Sequence, residues 1–345
     1  MNKTLVQKLV EIDSPSGKEA EVAQMLLNEM DERGFETHLD EVGNAIGVIG
    51  QGEYEVYLVG HMDTVPGEIP VRIEDNQLYG RGSVDAKGCL ATFVEAATAM
   101  KDSTKLKLTV IGCIDEEDDS QGAKHLLRTH DGTNLKAIII GEPSGWGAVT
   151  LGYKGSFSVL FELVKPRAHR GADQTTPTED AVSFYNQLCA AFPDHGAGFE
   201  QVGINLIAIN SEFQSNHEAV DLHLNIRTPL DFDLDYFIEK VHEFAGPAGV
   251  QRTSFVPAVL GDKRNELVRS FLSAIRAEDV RPIFKRKTGT SDMNLLNAWR
   301  CPILAYGPGD SSLDHTPNEH LDLDEYERAI RVLTHALKQM EMNLK

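Results

Sequence analysis

The sequence predicts an α/β protein built around a mostly parallel sheet, with an α+β domain of split βαβ (ferredoxin-like) order inserted into it. Three observations carry this expectation. In the first part of the chain, short unbroken apolar runs alternate with helix-spaced segments, as expected of strands buried on both faces between helices. From Phe157 the strand-like runs change character and alternate apolar with polar residues. Beyond residue 265 unbroken apolar runs and helix-spaced segments return. The length of 345 residues also suggests about two domains.

The elements follow in order. Leu5, Leu9 and Val10 recur at helical spacing, and the turn SPSG at 14–17 stops that helix. Residues 20–30 read as a second helix, closing near Gly34. Strand-like runs follow at 44–50 (NAIGVIG), 55–60 (EVYLVG), 106–114 (LKLTVIGCI) and 137–140 (AIII), with helices expected at 88–100 and 122–128. In the inserted part, FSVLFELV alternates as a strand, 178–191 reads as a helix, INLIAIN and AVDLHLNIRT as strands, and 234–244 as a helix. RTSFVP at 252–257 is taken as the last strand of this βαββαβ order. Helix is expected again at 265–276, a strand and Gly/Pro turn in CPILAYGPG, and a final helix at 323–340. The boundaries so drawn are 1–152 with 265–345 for the main domain and 153–264 for the insertion.

Composition excludes some functions. Hydrophobic residues at 41% and charged residues at 25% suit a globular protein with a full core. A net charge of −20 argues against nucleic acid or an anionic membrane as partner, because both require a cationic face. A local basic pocket for an anionic substrate is still allowed. The amino-terminal segment lacks the unbroken apolar stretch of a signal peptide, and no window reaches the roughly 18 apolar residues of a membrane span. Cys89, Cys113, Cys189 and Cys301 show no CxxC spacing, and three of them sit in apolar strings, so reduced buried thiols are expected. A reducing, cytoplasmic setting fits.

Five short segments place acids or histidine beside apolar strands or glycine turns, where open α/β sheets carry their sites. In YLVGHMDTVPG, His61 and Asp63 are two apart, so along an extended strand they face the same way and Asp63 would brace the imidazole. A strand-end His-Asp pair without metal is the plain alternative. In LYGRGSVDAKG, Asp85 precedes a helix, and capping that helix is the simpler local reading. In VIGCIDEEDDSQG, the adjacent Glu116 and Glu117 would divide two tasks, one binding metal and one accepting a proton from water. The alternative is a solvated acidic loop, the reading preferred for Asp115, Asp118 and Asp119. Glu142 follows the buried run in AIIIGEPSG, and His315 stands in GPGDSSLDHTPNEH. If Asp85 is shared, one His, one Asp and one Glu with water complete each of two four-coordinate zinc sites.

With these strings in view, the sequence resembles the zinc aminoacylase/carboxypeptidase family that includes acetylornithine deacetylase and succinyl-diaminopimelate desuccinylase. GHMDTVPG, YGRGSVDAKG, DEE, GEPSG, KTGTSDMN and GPGDSSLDHTPNEH carry the resemblance over essentially the whole chain. It implies that His61 and Glu142 bind one zinc (cobalt being an alternative metal), that Glu117 and His315 bind the other, and that Asp85 bridges them. Glu116 would be the general base and Asp63 the orienter of His61. The inserted domain would dimerise and act as a lid, with His169 in KPRAHRG stabilising an oxyanion across the dimer. Arg227 in LNIRTP would grip a substrate α-carboxylate, with Asn205, Gly289 and Thr290 near it. An exposed loop histidine and a surface ion pair are the plainer alternatives for His169 and Arg227. The stretch HRGADQTTPTEDA departs from the family's small-residue run after the histidine.

GEPSGW, LGYKG and KTGTSDMN are most similar to the branch acting on lysine or ornithine. The first-ranked substrate is a small N-acyl amino acid, N-acetyl-lysine or N-acetyl-ornithine, in lysine or arginine biosynthesis. Ranked just below is an amino-group carrier protein bearing lysine or ornithine, which would want a basic rim such as Lys165, Arg167, Arg170, Lys285, Arg286 and Lys287. A dipeptidase or aminopeptidase on the same scaffold, and a metal-dependent regulatory protein without catalysis, are the other candidates.

Overall fold

The computed structural model describes residues 3–169, 171, 173–213 and 215–344. Arg170, named above for the basic cluster, lies outside them. The chain divides into two compact units, Met1–Gly152 with Gly261–Arg286 and Ser291–Lys345, and Tyr153–Leu260 with Lys287–Thr290. The sequence pattern places the return at 265; the first unit in fact resumes at Gly261, and the short Lys287–Thr290 segment groups with the second.

The first unit opens with α1 (Leu5–Val10), capped by Thr4, and α2 (Ala20–Glu32). Strands β1 (Glu36–Leu39), β2 (Ala45–Ile49), β3 (Tyr54–His61), β4 (Arg72–Glu74) and β5 (Gln77–Tyr79) lead to α3 (Lys87–Thr98). Then come β6 (Leu106–Cys113), α4 (Gln121–Thr129), β7 (Leu135–Ile140) and β8 (Ala148–Tyr153). The second unit holds β9 (Gly155–Pro166), α5 (Pro177–Ala191), β10 (Gly203–Phe213), β11 (His217–Thr228), α6 (Leu234–Ala245), β12 (Gly249–Arg252) and β13 (Val259–Leu260). The chain returns through α7 (Glu266–Ala277), β14 (Ile283–Lys287), α8 (Asp292–Leu296), β15 (Ile303–Ala305), β16 (His320–Asp322) and α9 (Leu323–Asn343).

In the first unit the strand order of the large sheet runs β1-β2-β6-β3-β7-β15-β8. Its centre is parallel: β3 pairs in parallel with β6 and β7, and β15 with β7. Antiparallel pairs flank that centre. The parallel strands have the unbroken buried runs read from sequence because helices cover the sheet, and α3 is buried along almost its whole length. One core joins α1, α2, α3, α7 and α9 to the sheet through residues such as Leu9, Leu26, Phe93, Phe271 and Leu333.

The second unit pairs its strands in the order β10-β11-β9-β12, all antiparallel, which is the expected ferredoxin-like order. β9 and β11 alternate buried and open residues, and the buried face packs on α5 and α6 through Phe161, Phe184, Leu222 and Phe237. Thr176 and Glu179 form a reciprocal capping box on α5 with Pro177 at its first turn. RTSFVP is a correction to the sequence reading: β12 ends at Arg252, and only Val256 makes an isolated bridge, to Ser156. The strand shifts toward the amino terminus because Gly249–Arg252 is the stretch in register with β9.

Among the described residues no helix is long and apolar enough to cross a membrane. No disulfide joins the four cysteines; Cys89 and Cys113 are buried and the other two partly so.

Candidate metal centre

All four central parallel strands run out at the same end of the sheet, and each is followed by a group able to bind metal or move protons. β3 ends on His61, with Asp63 next beyond it. β6 ends at Cys113, ahead of Glu116 and Glu117, and β7 at Ile140, ahead of Glu142. β15 ends at Ala305, and the loop after it carries His315. Because β6 and β7 flank β3, the chain moves first to one side of β3 and then to the other, leaving a crevice at the strand ends. Asp85 enters this crevice from the segment between β5 and α3.

Two ligand groups result, His61 with Asp85 and Glu142, and Asp85 with Glu117 and His315. Within each group one ligand atom per residue lies within 4.8 Å of the others. Asp85 belongs to both: its Oδ1 is 3.4 Å from His61 Nε2 and its Oδ2 is 3.1 Å from His315 Nε2. His315 Nε2 also stands 3.0 Å from Glu117 Oε1, and Glu116 Oε2 lies 4.0 Å from His61 Nε2. Asp85 does not cap α3, since the N-cap is Ala86 and no side chain bonds there.

Asp63 does more than brace an imidazole. The nearest partner of His61 Nδ1 is the main-chain oxygen of Asp63 at 2.9 Å, with the Asp63 carboxylate at 3.4 Å. That assigns the proton to Nδ1 and turns the Nε2 lone pair toward Asp85. The Asp63 carboxylate accepts the amides of Glu116 (3.1 Å) and Glu117 (3.0 Å) and the Ser16 hydroxyl (2.7 Å). It therefore fixes the acidic loop, whose ends Asp115 and Ser120 both adopt left-handed backbone angles. Asp118 and Asp119 point to solvent as expected, and Asp119 pairs with Lys124.

The electrostatics call for cations. Asp63, Asp85, Glu116, Glu117 and Glu142 converge on only two imidazoles. Burial, reinforced by Glu142, Asp292 and Glu117, pushes the Glu116 carboxyl well above the usual range despite His61 nearby. Burial alone would lower His61, but Asp63, Asp85 and Glu116 hold it well above an ordinary histidine. Asp85 and Glu117 raise His315 to about 10. His61 Nε2 is buried with no hydrogen bond of acceptable geometry. A lone pair so placed, facing shared carboxylates in two His-plus-carboxylate sets, fits two divalent cations.

Of the remaining residues named from the sequence, Lys285 and Arg286 belong to the first unit and the other described ones to the second. Arg227, half-buried on β11, donates to Thr290 Oγ1 at 3.3 Å, and among the described residues no carboxylate pairs with it. Gly203 lies opposite Arg227 in the β10–β11 ladder, and Asn205 Nδ2 bonds to the Asn225 carbonyl at 3.3 Å. A side chain at Gly289 would meet nothing within 4 Å, so packing does not dictate that glycine. His169 is exposed after β9, its Nδ1 accepting from the Gly171 amide at 3.1 Å. In the basic cluster, Lys165 is engaged by Asp180 and Thr175, and Lys287 lies over the Tyr153 ring.

Three contributors escape a reading of the sequence. Ser16 sits in a turn that reads only as a helix stop. Asp292 is 3% exposed on α8, and burial with Asp63 nearby pushes its carboxyl up to about 7. Glu319 is fully buried against the Asp85 segment. Both acids lie in strings that carry the family resemblance, but nothing in their local pattern separates them from solvated acids.

Residues 57–339 match the profile of the peptidase family M20/M25/M40. The chain is 41% identical over 354 aligned positions to a protein of Deinococcus radiodurans named LysW-lysine hydrolase, covering 98% of this chain and 96% of that one. It is 29% identical to a LysW-lysine/LysW-ornithine hydrolase of Saccharolobus islandicus, covering 98% and 95%. In fold it is similar to an M20 family metallo-carboxypeptidase from Sulfolobus solfataricus, with a TM-score of 0.83, 17% identity, and 99% and 100% coverage.

One consequence concerns protons. With His315 raised to about 10, its protonated form prevails at pH 7, whereas a ligating imidazole must be neutral. Cation uptake at pH 7 is therefore expected to release about one proton or more per chain, and affinity to rise with pH up to that range. Calorimetry of the metal-free protein in buffers of differing ionisation enthalpy measures this; a buffer-independent enthalpy contradicts it.

Proposed function

We propose, from the premise that this chain belongs to the peptidase family M20/M25/M40, that it is a two-metal amidohydrolase releasing lysine or ornithine from an amide link to a small carrier protein. Membership makes it a metallohydrolase; the number of metals, the substrate and the residue roles are our reading. The observation that carries the chemistry is Asp85 shared between two ligand groups with Glu116 beside them. The observation that favours the carrier is the name of the 41% identical relative, which joins lysine to a partner called LysW. This reverses the ranking drawn from sequence, where a free N-acyl amino acid stands first. N-acetyl-lysine and N-acetyl-ornithine remain the second reading, because Arg227 would serve either substrate.

In this reading His61, Asp85 and Glu142 hold one divalent cation, and Asp85, Glu117 and His315 hold the other. Zinc suits these imidazole and carboxylate donors, with cobalt able to replace it. When bound, the pair supplies Lewis acidity to the scissile carbonyl and to water. Glu116 takes a proton from the attacking water and passes it to the departing amine, so that the C–N bond breaks to a carboxylate and a free amino group. Asp63 keeps His61 in the ligating tautomer. Arg227, with Thr290 and Asn205, would receive the free α-carboxylate of the amino acid, with Gly289 leaving open space beside Thr290. His169 would stabilise the oxyanion from a second copy.

A homodimer through the second unit is supported by its edge. β10 is one of the two edge strands of that sheet and exposes Ile207 (65%) and Phe213 (60%), apolar surface that an edge rarely leaves open. Light scattering is expected to report a dimer, and Phe213→Asp to weaken it; a fully active monomeric wild type contradicts the arrangement.

The assignment is tested by presenting the purified enzyme with carrier-linked lysine and ornithine, the two N-acetyl amino acids and simple dipeptides. The carrier conjugates are expected to turn over fastest. Glu116→Gln is expected to keep its metal content and lose about 10²–10⁴-fold in rate. Faster turnover of dipeptides would point to a peptidase, and an unimpaired Glu116→Gln would remove Glu116 as the base.

A further inference from the structure

The carboxylate shared by both ligand groups sits on a segment outside regular secondary structure, so something else must hold it in place. That segment, between β5 and α3, has turn hydrogen bonds of its own (Ser83 to Gly80, Lys87 to Gly82), and the amides next to the shared carboxylate go to one buried side chain. Glu319 Oε1 accepts the amides of Val84 (2.9 Å) and Asp85 (3.1 Å), and Oε2 accepts from Arg81 Nη1 at 2.8 Å. Arg81 in turn donates through Nε to the Gly67 carbonyl at 2.9 Å. The Glu319 carbonyl accepts from the Gly80 amide at 3.3 Å, and the next residue, His320, enters register opposite Tyr79 on β5. Both ends of the segment before Asp85 are thus tied to one glutamate. Glu319 is buried, its side chain 1% exposed.

A buried carboxylate is costly unless it is paired and hydrogen-bonded, and here both oxygens are engaged by charged or main-chain donors. Glu319 also follows His315 by four residues, so the loop that supplies one metal ligand supplies the anchor for the shared one. We propose that Glu319 is a positioning residue that fixes the Asp85 backbone so that its two carboxylate oxygens face His61 and His315 together. The inference rests on the reading that Asp85 is shared by two cations. The competing role is that of a buried ion pair stabilising the fold alone, with no effect on metal in protein that is folded.

Metal affinity separates the two. Metal-free wild type, Glu319→Ala and Glu319→Gln, each checked for folding by circular dichroism, are titrated with Co2+ and followed by visible absorption. Wild type is expected to take up two ions per chain; if it does not, the two-metal reading fails and the test of Glu319 is read from a single site. Outer carboxylates of metal sites contribute about 10–100-fold in affinity, and that loss is expected for Glu319→Ala together with an altered Co2+ spectrum. Glu319→Gln keeps an oxygen for the two amides and is expected to recover most of the affinity. Should Glu319→Ala not fold, Glu319→Asp replaces it: one methylene shorter, it keeps the charge for Arg81 but withdraws from the amides, and the same loss is expected. Wild-type affinity and spectrum in folded Glu319→Ala or Glu319→Asp overturns the inference, as does a Glu319→Gln no better than the deletion.

Discussion

Like charges in a crevice of low dielectric repel one another, and this structure gathers five carboxylates around two imidazoles at the ends of four parallel strands. The pKa shifts express that repulsion: Glu116 is driven up by burial and its acidic neighbours, and both histidines are shifted upward by theirs. Without cations the cluster can lower its energy only by holding extra protons. Two cations held by these residues would make the same geometry favourable and would displace the protons. A site that trades protons for metal in this way explains why the carboxylates are tolerated at all.

The scaffold meets the constraint with main-chain groups. The Asp63 carbonyl, rather than its carboxylate, is the nearest partner of His61, and the carboxylate instead holds the amides of Glu116 and Glu117. Glu319 does the same for Val84 and Asp85. The acidic loop and the Asp85 segment are thereby pinned through their own backbones. Ligand positions then depend on main-chain hydrogen bonds to two carboxylates that adjoin β3 and β16, which limits the freedom of the loops that carry the ligands.

Much of this is legible in the sequence, and the reasons differ from residue to residue. The central strands are readable because burial on both faces leaves unbroken runs such as AIII, and the second unit because its one-sided strands alternate. His61, Glu116, Glu117 and Glu142 stand out because each follows an apolar run, and His315 because it closes the loop after one. Asp85 does not: its local pattern is that of a helix cap, and only three-dimensional convergence separates the two roles. Glu319 and Asp292 are invisible for a related reason, since burial by distant elements leaves no trace in neighbouring residues. The small strands β1, β4 and β16 escape because three or four residues carry too little periodicity, and RTSFVP misleads because β-like composition says nothing about register with β9.

The second unit places Gly203 and Asn205 on the strand beside Arg227 and sets Thr290 against the Arg227 guanidinium, which has no carboxylate partner among the described residues. A carboxylate-bearing amino acid is a suitable ligand for such a group, whatever is joined to its nitrogen. The acyl side of the substrate is therefore where the carrier and the acetyl readings part, while the metal centre is common to both. That centre is tested most directly by anomalous diffraction from crystals grown with zinc, collected at the zinc edge. Two peaks about 3.5–4 Å apart, one beside His61 and Glu142, the other beside Glu117 and His315, with Asp85 between them, are expected. A single peak, or two that do not share Asp85, would contradict the account.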